Sequence, residues 1–210
     1  MYVAKIPRRG YEDMKTIVLA SNNKHKISEF KEMLPDFKVL ALKDVGFFED
    51  IVEDGTTFLE NSLIKARAIT KFLNEKGKKA LVIADDSGLC VNSLNGEPGV
   101  YSARYAGEHG NNVENRAKLL KKLKNKADRS AYFVCLLTVM NPDGTYSYVE
   151  GKTFGHITPE ERGNTSFCYD CLFYSDELKK TFGEATDDEK NSVSHRGRAI
   201  KMLIEKGLLN

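Results

Sequence analysis

Apolar residues enter this chain as short runs, alternating with stretches in which they recur every three or four positions. Residues 16–20 (TIVLA) predict a first strand; Ile27, Phe30 and Leu34 then recur at helical spacing until Pro35 stops the pattern. Residues 39–42 read as a second strand and the acidic stretch 49–55 as a loop. Thr57 opens a longer helix with an apolar stripe of Leu59, Leu63, Ala66 and Leu73. Its Thr57 and Glu60 have the spacing of a capping box. Residues 80–84 (ALVIA) predict a buried strand that ends abruptly at Asp85-Asp86-Ser87-Gly88.

Asn95-Gly96 and Pro98-Gly99 mark turns, and residues 113–123 form a basic amphipathic pattern. Residues 131–140 predict a long apolar strand, which Asn141-Pro142-Asp143-Gly144 turns into another over 146–154. One last helix is expected over 187–207, boxed by Thr186 and Glu189, with Val193, Ile200, Leu203 and Ile204 inward. Helices mixed with at least one antiparallel hairpin imply an α/β fold with a mixed sheet. Residues 1–14 precede the first patterned run and read as an extension outside the fold, leaving 15–210 as one domain.

Composition narrows the class. A chain of 210 residues can bury a full core without staples. Its net charge of +2 supplies no field for nucleic acid or an anionic membrane. No apolar run has transmembrane length, and the first residues lack the hydrophobic segment of a secretory leader. Cys90 and Cys135 sit inside apolar runs, where a buried free thiol is normal, so a cytoplasmic, reducing setting is expected.

Several groups could carry chemistry. Ser21-Asn22-Asn23-Lys24-His25-Lys26 leaves a strand and opens a helix, so backbone N–H groups and lysines can meet an anion there. The segment has no P-loop spacing and equally describes a capped helix with solvated lysines. Asp85 and Asp86 could hold Mg²⁺ at a strand's end, or merely form a turn. Glu53 is either a further ligand or solvated, and Lys65 in isolation reads as a surface lysine. Ser194-His195-Arg196 suits phosphate or base-edge recognition, against a solvated helix face. Cys168-Tyr169-Asp170-Cys171 lacks the further ligands of a zinc site and the βαβ context of a redox motif. The aromatics Phe167, Tyr169 and Phe173 around it suit a stacking platform or core.

Together these blocks resemble one family. VLASNNKHKISEF at 18–30, EDGTTFLENSLIKAR at 53–67, IADDSGLCVNSLNGEPGVYSARYAG at 83–107, SFCYDCLFY at 166–174 and KTFGEATDDEKNSVSHRGRA at 180–199 are similar, in order, to the inosine triphosphate pyrophosphatases. The resemblance implies an elongated mixed sheet flanked by helices, two lobes around a central substrate cleft, and a homodimer. It implies Mg²⁺-dependent hydrolysis of noncanonical purine nucleoside triphosphates (ITP, dITP, XTP) to the monophosphate and pyrophosphate. Carried over by position, Ser21, Asn23 and Lys26, within the segment that includes Asn22, Lys24 and His25, would meet the triphosphate, with Lys65 a second phosphate contact. Asp86 would be metal ligand and general base, with Asp85 and Glu53 as further ligand candidates and Ser87 near the substrate. Phe167, Cys168, Tyr169 and Asp170 would form the base pocket, joined by Lys190, His195 and Arg196.

The chain departs from the family where FGYDP is usual: here Cys168 replaces the glycine and Cys171 the proline. That bears on substrate preference more than on the reaction. Two rivals remain at this stage. A Maf-type nucleotide pyrophosphatase would open with an SPRR-like segment, which 21–26 lacks; a non-catalytic nucleotide binder would not need the Asp85-Asp86 pair beside two lysines.

Overall fold

The computed structural model describes residues 15–164 and 167–209, so the expectation for residues 1–14 lies outside the described residues. Seven strands form one sheet in the order β2-β1-β3-β4-β5-β6-β7. Strands β1 (Lys15–Leu19), β2 (Phe37–Leu40) and β3 (Leu81–Val91) pair in parallel. From β3 onward, β4 (Ser130–Met140), β5 (Tyr146–Ile157), β6 (Phe173–Ser175) and β7 (Lys180–Thr181) run antiparallel. The mixed α/β class read from the sequence is the one observed.

Helices α1 (Lys24–Met33) and α6 (His195–Glu205) cover one face of the β1–β3–β4 region, burying Phe30, Leu34, Ala199, Ile200 and Leu203 against Ile17, Ile83 and Leu137. Helix α3 (Phe58–Glu75) covers the other face, with Leu63, Ala66, Ile69 and Leu73 against Val18, Val82 and Ala84. A third cluster joins the far ends of β3 and β4 to α4 (Asn112–Leu123) through Leu89, Leu119, Phe133, Tyr169 and Phe173. The sheet therefore carries two separate centres of burial along its long strands.

Four predicted boundaries move. Strand β2 ends at Leu40, and Leu42 begins the short helix α2 (Leu42–Val45), closed by Gly46 in the left-handed region. Strand β3 does not stop at the aspartates: it pairs with β4 through Asp85 and Asp86 as far as Val91. Two acids discourage a strand reading, yet a full ladder and buried ion pairs carry the backbone through them. Strand β5 continues three residues beyond Phe154. The final helix is two: α5 (Asp187–Val193) ends at Ser194, whose extended backbone turns the chain and whose hydroxyl caps α6 at Gly197 N–H. The break re-phases the helix, and Ile204, expected inward, is exposed.

Two glycines set the approach of elements to the sheet. A Cβ at Gly151 on β5 would lie 2.2 Å from the His195 carbonyl oxygen, so α6 reaches β5 because no side chain stands there. A Cβ at Gly88 on β3 would lie 2.3 Å from the Gly99 oxygen, where the 3₁₀ turn Gly99–Arg104 crosses the strand.

Candidate functional site

A cavity of about 970 Å³ opens over the middle of β3, lined from both halves of the molecule. One wall is the β1–α1 junction. Asn23 caps α1 by accepting from the His25 and Lys26 backbone N–H groups, and Ser21 Oγ accepts from Asn23 N–H, which holds the turn rigid. Asn22 Oδ1 accepts from Lys43 N–H and ties this turn to α2. Ser21, Asn22, Asn23, His25 and Lys26 all line the cavity; Lys24 is exposed and stands outside it.

Strand alternation separates the two aspartates. Asp85 shares the Ile83 face, toward α1 and α6. Its Oδ1 accepts from Lys26 Nζ at 2.6 Å and Ser87 Oγ at 2.7 Å, and its Oδ2 from Arg196 Nε at 2.7 Å. Burial alone would raise its pKa, but Arg196 and Lys26 outweigh that and hold it well below the ordinary carboxylate value. Asp86 shares the Ala84 face, toward α3, where Lys65 Nζ stands 3.4 Å from Oδ1. Its Oδ2 is buried with no hydrogen-bond partner among the described residues. Burial raises the Asp86 pKa, only partly opposed by Lys65 and Lys26.

Lys65 is no surface lysine: it is buried, donates to Glu53 Oε2 at 2.5 Å and carries that acidic-loop residue to Asp86. Burial would lower its pKa, but Asp86 and Glu53 reverse the direction and keep it charged. The 194–196 stretch is likewise no solvated face, since Ser194, His195 and Arg196 are all buried.

Beside the phosphate-type groups lies an apolar and hydrogen-bonding recess. His195 stacks on Phe133 (centroids 4.8 Å apart, planes 13° off parallel), and its Nδ1 is buried with no partner among the described residues. Burial, with Arg196 second, pushes its pKa well below the usual value, so the ring is neutral. Phe167 lies 4.8 Å from the His25 ring and under Lys190 Nζ at 4.7 Å. Lys190 bonds Asp170 Oδ2 at 2.7 Å and Glu29 Oε1 at 3.1 Å, leaving Asp170 Oδ1 buried without a partner among the described residues. Tyr169, read from sequence as stacking platform or core, lines the cavity yet is fully buried in the third cluster, with its hydroxyl donating to the Ser102 carbonyl. Cys168 lines the cavity at φ +39°, the left-handed backbone that a glycine takes without strain. Burial lifts the Cys168 thiol to about 12 and the Cys171 thiol to about 11. Among the described residues no group of three or more His, Cys, Asp or Glu side chains converges on one point.

Residues 17–206 match the Ham1 family. The chain belongs to the Ham1 family. This Ham1 protein is 51% identical over 203 residues to a dITP/XTP pyrophosphatase of Clostridium perfringens, covering 93% of this chain and all of that protein. Among solved structures it is similar to the Staphylococcus aureus Ham1 protein (TM-score 0.80, 43% identity, 92% and 99% of the two chains). It is also similar to a nucleoside-triphosphatase / dITP/XTP pyrophosphatase of Mycobacterium abscessus (TM-score 0.71, 38% identity, 90% and 98%).

Glu29, Phe133 and Arg104 are among the cavity and network residues of this Ham1 chain not singled out from sequence. Glu29 bridges Lys190 and Arg196; it lies three residues after Lys26, so the helical period places both on one face of α1. Phe133 and Arg104 sat inside an apolar strand and a turn, and nothing local marked either as facing a cleft.

Proposed function

We propose that this chain hydrolyses noncanonical purine nucleoside triphosphates (ITP, dITP, XTP) to the nucleoside monophosphate and pyrophosphate. The observation that carries the reading is Asp86 Oδ2, a buried carboxylate oxygen without a partner among the described residues, inside a cavity that also holds Lys26 and Lys65. Such an oxygen costs several kcal/mol to keep dry and unpaired, about 1–3 for an ordinary group and more for a charge, so it calls for a ligand. The relatives' printed activity supplies the substrate class.

The donor set fits Mg²⁺. Asp86 and Glu53, both held by Lys65, are hard oxygen donors, and Mg²⁺ binds through one or two carboxylates with water and substrate phosphate oxygens completing its shell. Asp85 is the poorer ligand, because Lys26, Ser87 and Arg196 already occupy its two oxygens. We assign it to positioning Lys26 and Arg196. When bound, the metal would offset phosphate charge and lower the pKa of a coordinated water. The cavity lining holds five carboxylates (Glu49, Asp50, Glu53, Asp85, Asp86) against four cations (Lys26, Lys65, Arg104, Arg196), so a triphosphate of about four negative charges is accommodated only with added positive charge.

The rigid Ser21–Lys26 turn offers backbone and side-chain donors to phosphate oxygens. For the base, Asp170 Oδ1 would accept a hydrogen bond from an N1–H, which 6-oxopurines have and adenine lacks; burial raises the Asp170 pKa, and Lys190 opposes that. Neutral His195 offers a ring N–H toward the same recess, and Phe167 an aromatic face. Residues 15–210 would act as one two-lobed unit, and the four free thiols suit a cytoplasmic setting. A homodimer is the assembly implied by the family resemblance.

A nucleotide panel tests the reading. Pyrophosphate release is expected from ITP, dITP and XTP with Mg²⁺, with ATP much slower and chelator abolishing the signal. Equal rates for ITP and ATP would remove the base assignment; no release from any nucleotide would remove the hydrolase.

A further inference from the structure

Every cation of the cavity except one meets the substrate already matched to a carboxylate. Lys26 is paired with Asp85, Lys65 with Glu53 and Asp86, and Arg196 with Asp85 and Glu29. Arg104, at the end of the 3₁₀ turn that Gly88 admits against β3, makes no ion pair among the described residues. It is half-buried, its guanidinium lies 5.2 Å from the Tyr101 ring centroid, and Nη2 donates to the Glu53 carbonyl oxygen at 3.2 Å. A guanidinium has five N–H donors in a planar fork that matches phosphate, and most of them have no acceptor among the described residues.

Resting on the nucleotide reading of the site, we propose that Arg104 binds the terminal phosphates, the part that leaves as pyrophosphate. Its position selects that end. Arg104 is fastened to the backbone of the loop carrying Glu53, whose carboxylate leads through Lys65 to Asp86. The base recess, with Phe133, His195 and Phe167, uses other residues. Its charge needs no release from a protein carboxylate before it meets phosphate, so it acts without breaking an existing pair. It also comes from the α4 half of the molecule, whereas Lys26 and Lys65 come from α1 and α3; a polyphosphate held by all three spans the cavity.

Binding of inorganic pyrophosphate and of inosine monophosphate, each with Mg²⁺, is measured by calorimetry on the wild type, Arg104→Ala and Arg104→Lys, with thermal melting as a check on folding. A charge-assisted hydrogen bond to phosphate is worth about 1.5–3 kcal/mol, so Arg104→Ala is expected to weaken pyrophosphate binding about 10- to 100-fold. Arg104→Lys should recover part of that, and inosine monophosphate binding should change less than about 3-fold. Unchanged pyrophosphate binding in Arg104→Ala, or equal weakening of both ligands, overturns the assignment. If the alanine variant does not fold, Arg104→Lys decides alone: pyrophosphate binding equal to wild type overturns it, and selective weakening supports it. Because binding is read directly, a wild type that binds pyrophosphate yet hydrolyses no nucleotide counts against the proposed function and leaves the Arg104 result standing.

Discussion

Asp85 and Asp86 are adjacent on β3 and face opposite sides of the sheet, Asp85 closed off by Lys26, Ser87 and Arg196 and Asp86 with one oxygen unpartnered among the described residues. The same residue type therefore has two different electrostatic tasks one position apart. Asp85 neutralises a buried arginine; Asp86 keeps an oxygen that no described residue occupies.

The two asparagine variants separate these tasks. Asp85→Asn leaves the fully buried Arg196 with less counter-charge, and removing one partner of a buried pair costs about 3–5 kcal/mol. Urea denaturation should register that loss. Asp86→Asn should leave stability the same or slightly higher, since burial already opposes its charge, while pyrophosphate release falls by at least about 1,000-fold. Comparable destabilisation by both substitutions would contradict the division.

Cys168 supplies a test of backbone strain. Its φ of +39° costs a non-glycine residue about 1–2 kcal/mol, so Cys168→Gly should raise the melting temperature despite the added freedom of the unfolded chain. Cys168→Ala keeps the strain and should show no gain. Nucleotide preference measured on the two variants then tells whether the side chain or the loop conformation shapes the pocket.

Glu29 predicts an acid limb. Burial would raise its pKa, but Arg196 and Lys190 hold it at about 2 against 4.5 in the unfolded chain. A depressed folded pKa means that the stabilisation is full above 4.5 and is lost as pH falls from 4.5 toward 2. The shift corresponds to at most about 3 kcal/mol. Glu29→Gln should flatten that part of the stability–pH curve, followed by urea midpoints across the window; an unchanged slope would assign the limb to other carboxylates.

Gly151→Ala tests how α6 is seated. A Cβ 2.2 Å from the His195 carbonyl must push α6 off β5, with an overpacking cost of about 1–3 kcal/mol. The displacement also moves His195 and Arg196, so nucleotide affinity should fall more than 10-fold by the effect of a misplaced recognition group. Wild-type affinity in a destabilised variant would show that the helix yields elsewhere.

The sequence by itself determined the periodic elements, the capping boxes at Thr57 and Thr186, the antiparallel hairpin at 141–144, and the ordered blocks that carry the family resemblance. These are local signals: a helix stripe or a cap is written within a few residues. Charge burial was decided elsewhere. From sequence alone, residues 85–86 read equally as a metal site or a turn and 194–196 as a recognition site or a wet helix face, because their partners are remote: Lys26 reaches Asp85 across 59 positions and Arg196 across 111. A charge is buried only where opposite charges converge on it, and that convergence exists only once α1, α3 and α6 are packed on the sheet. The break at Ser194 has the same origin, since the turn it makes sets α6 against Gly151 and aims Arg196 at Asp85.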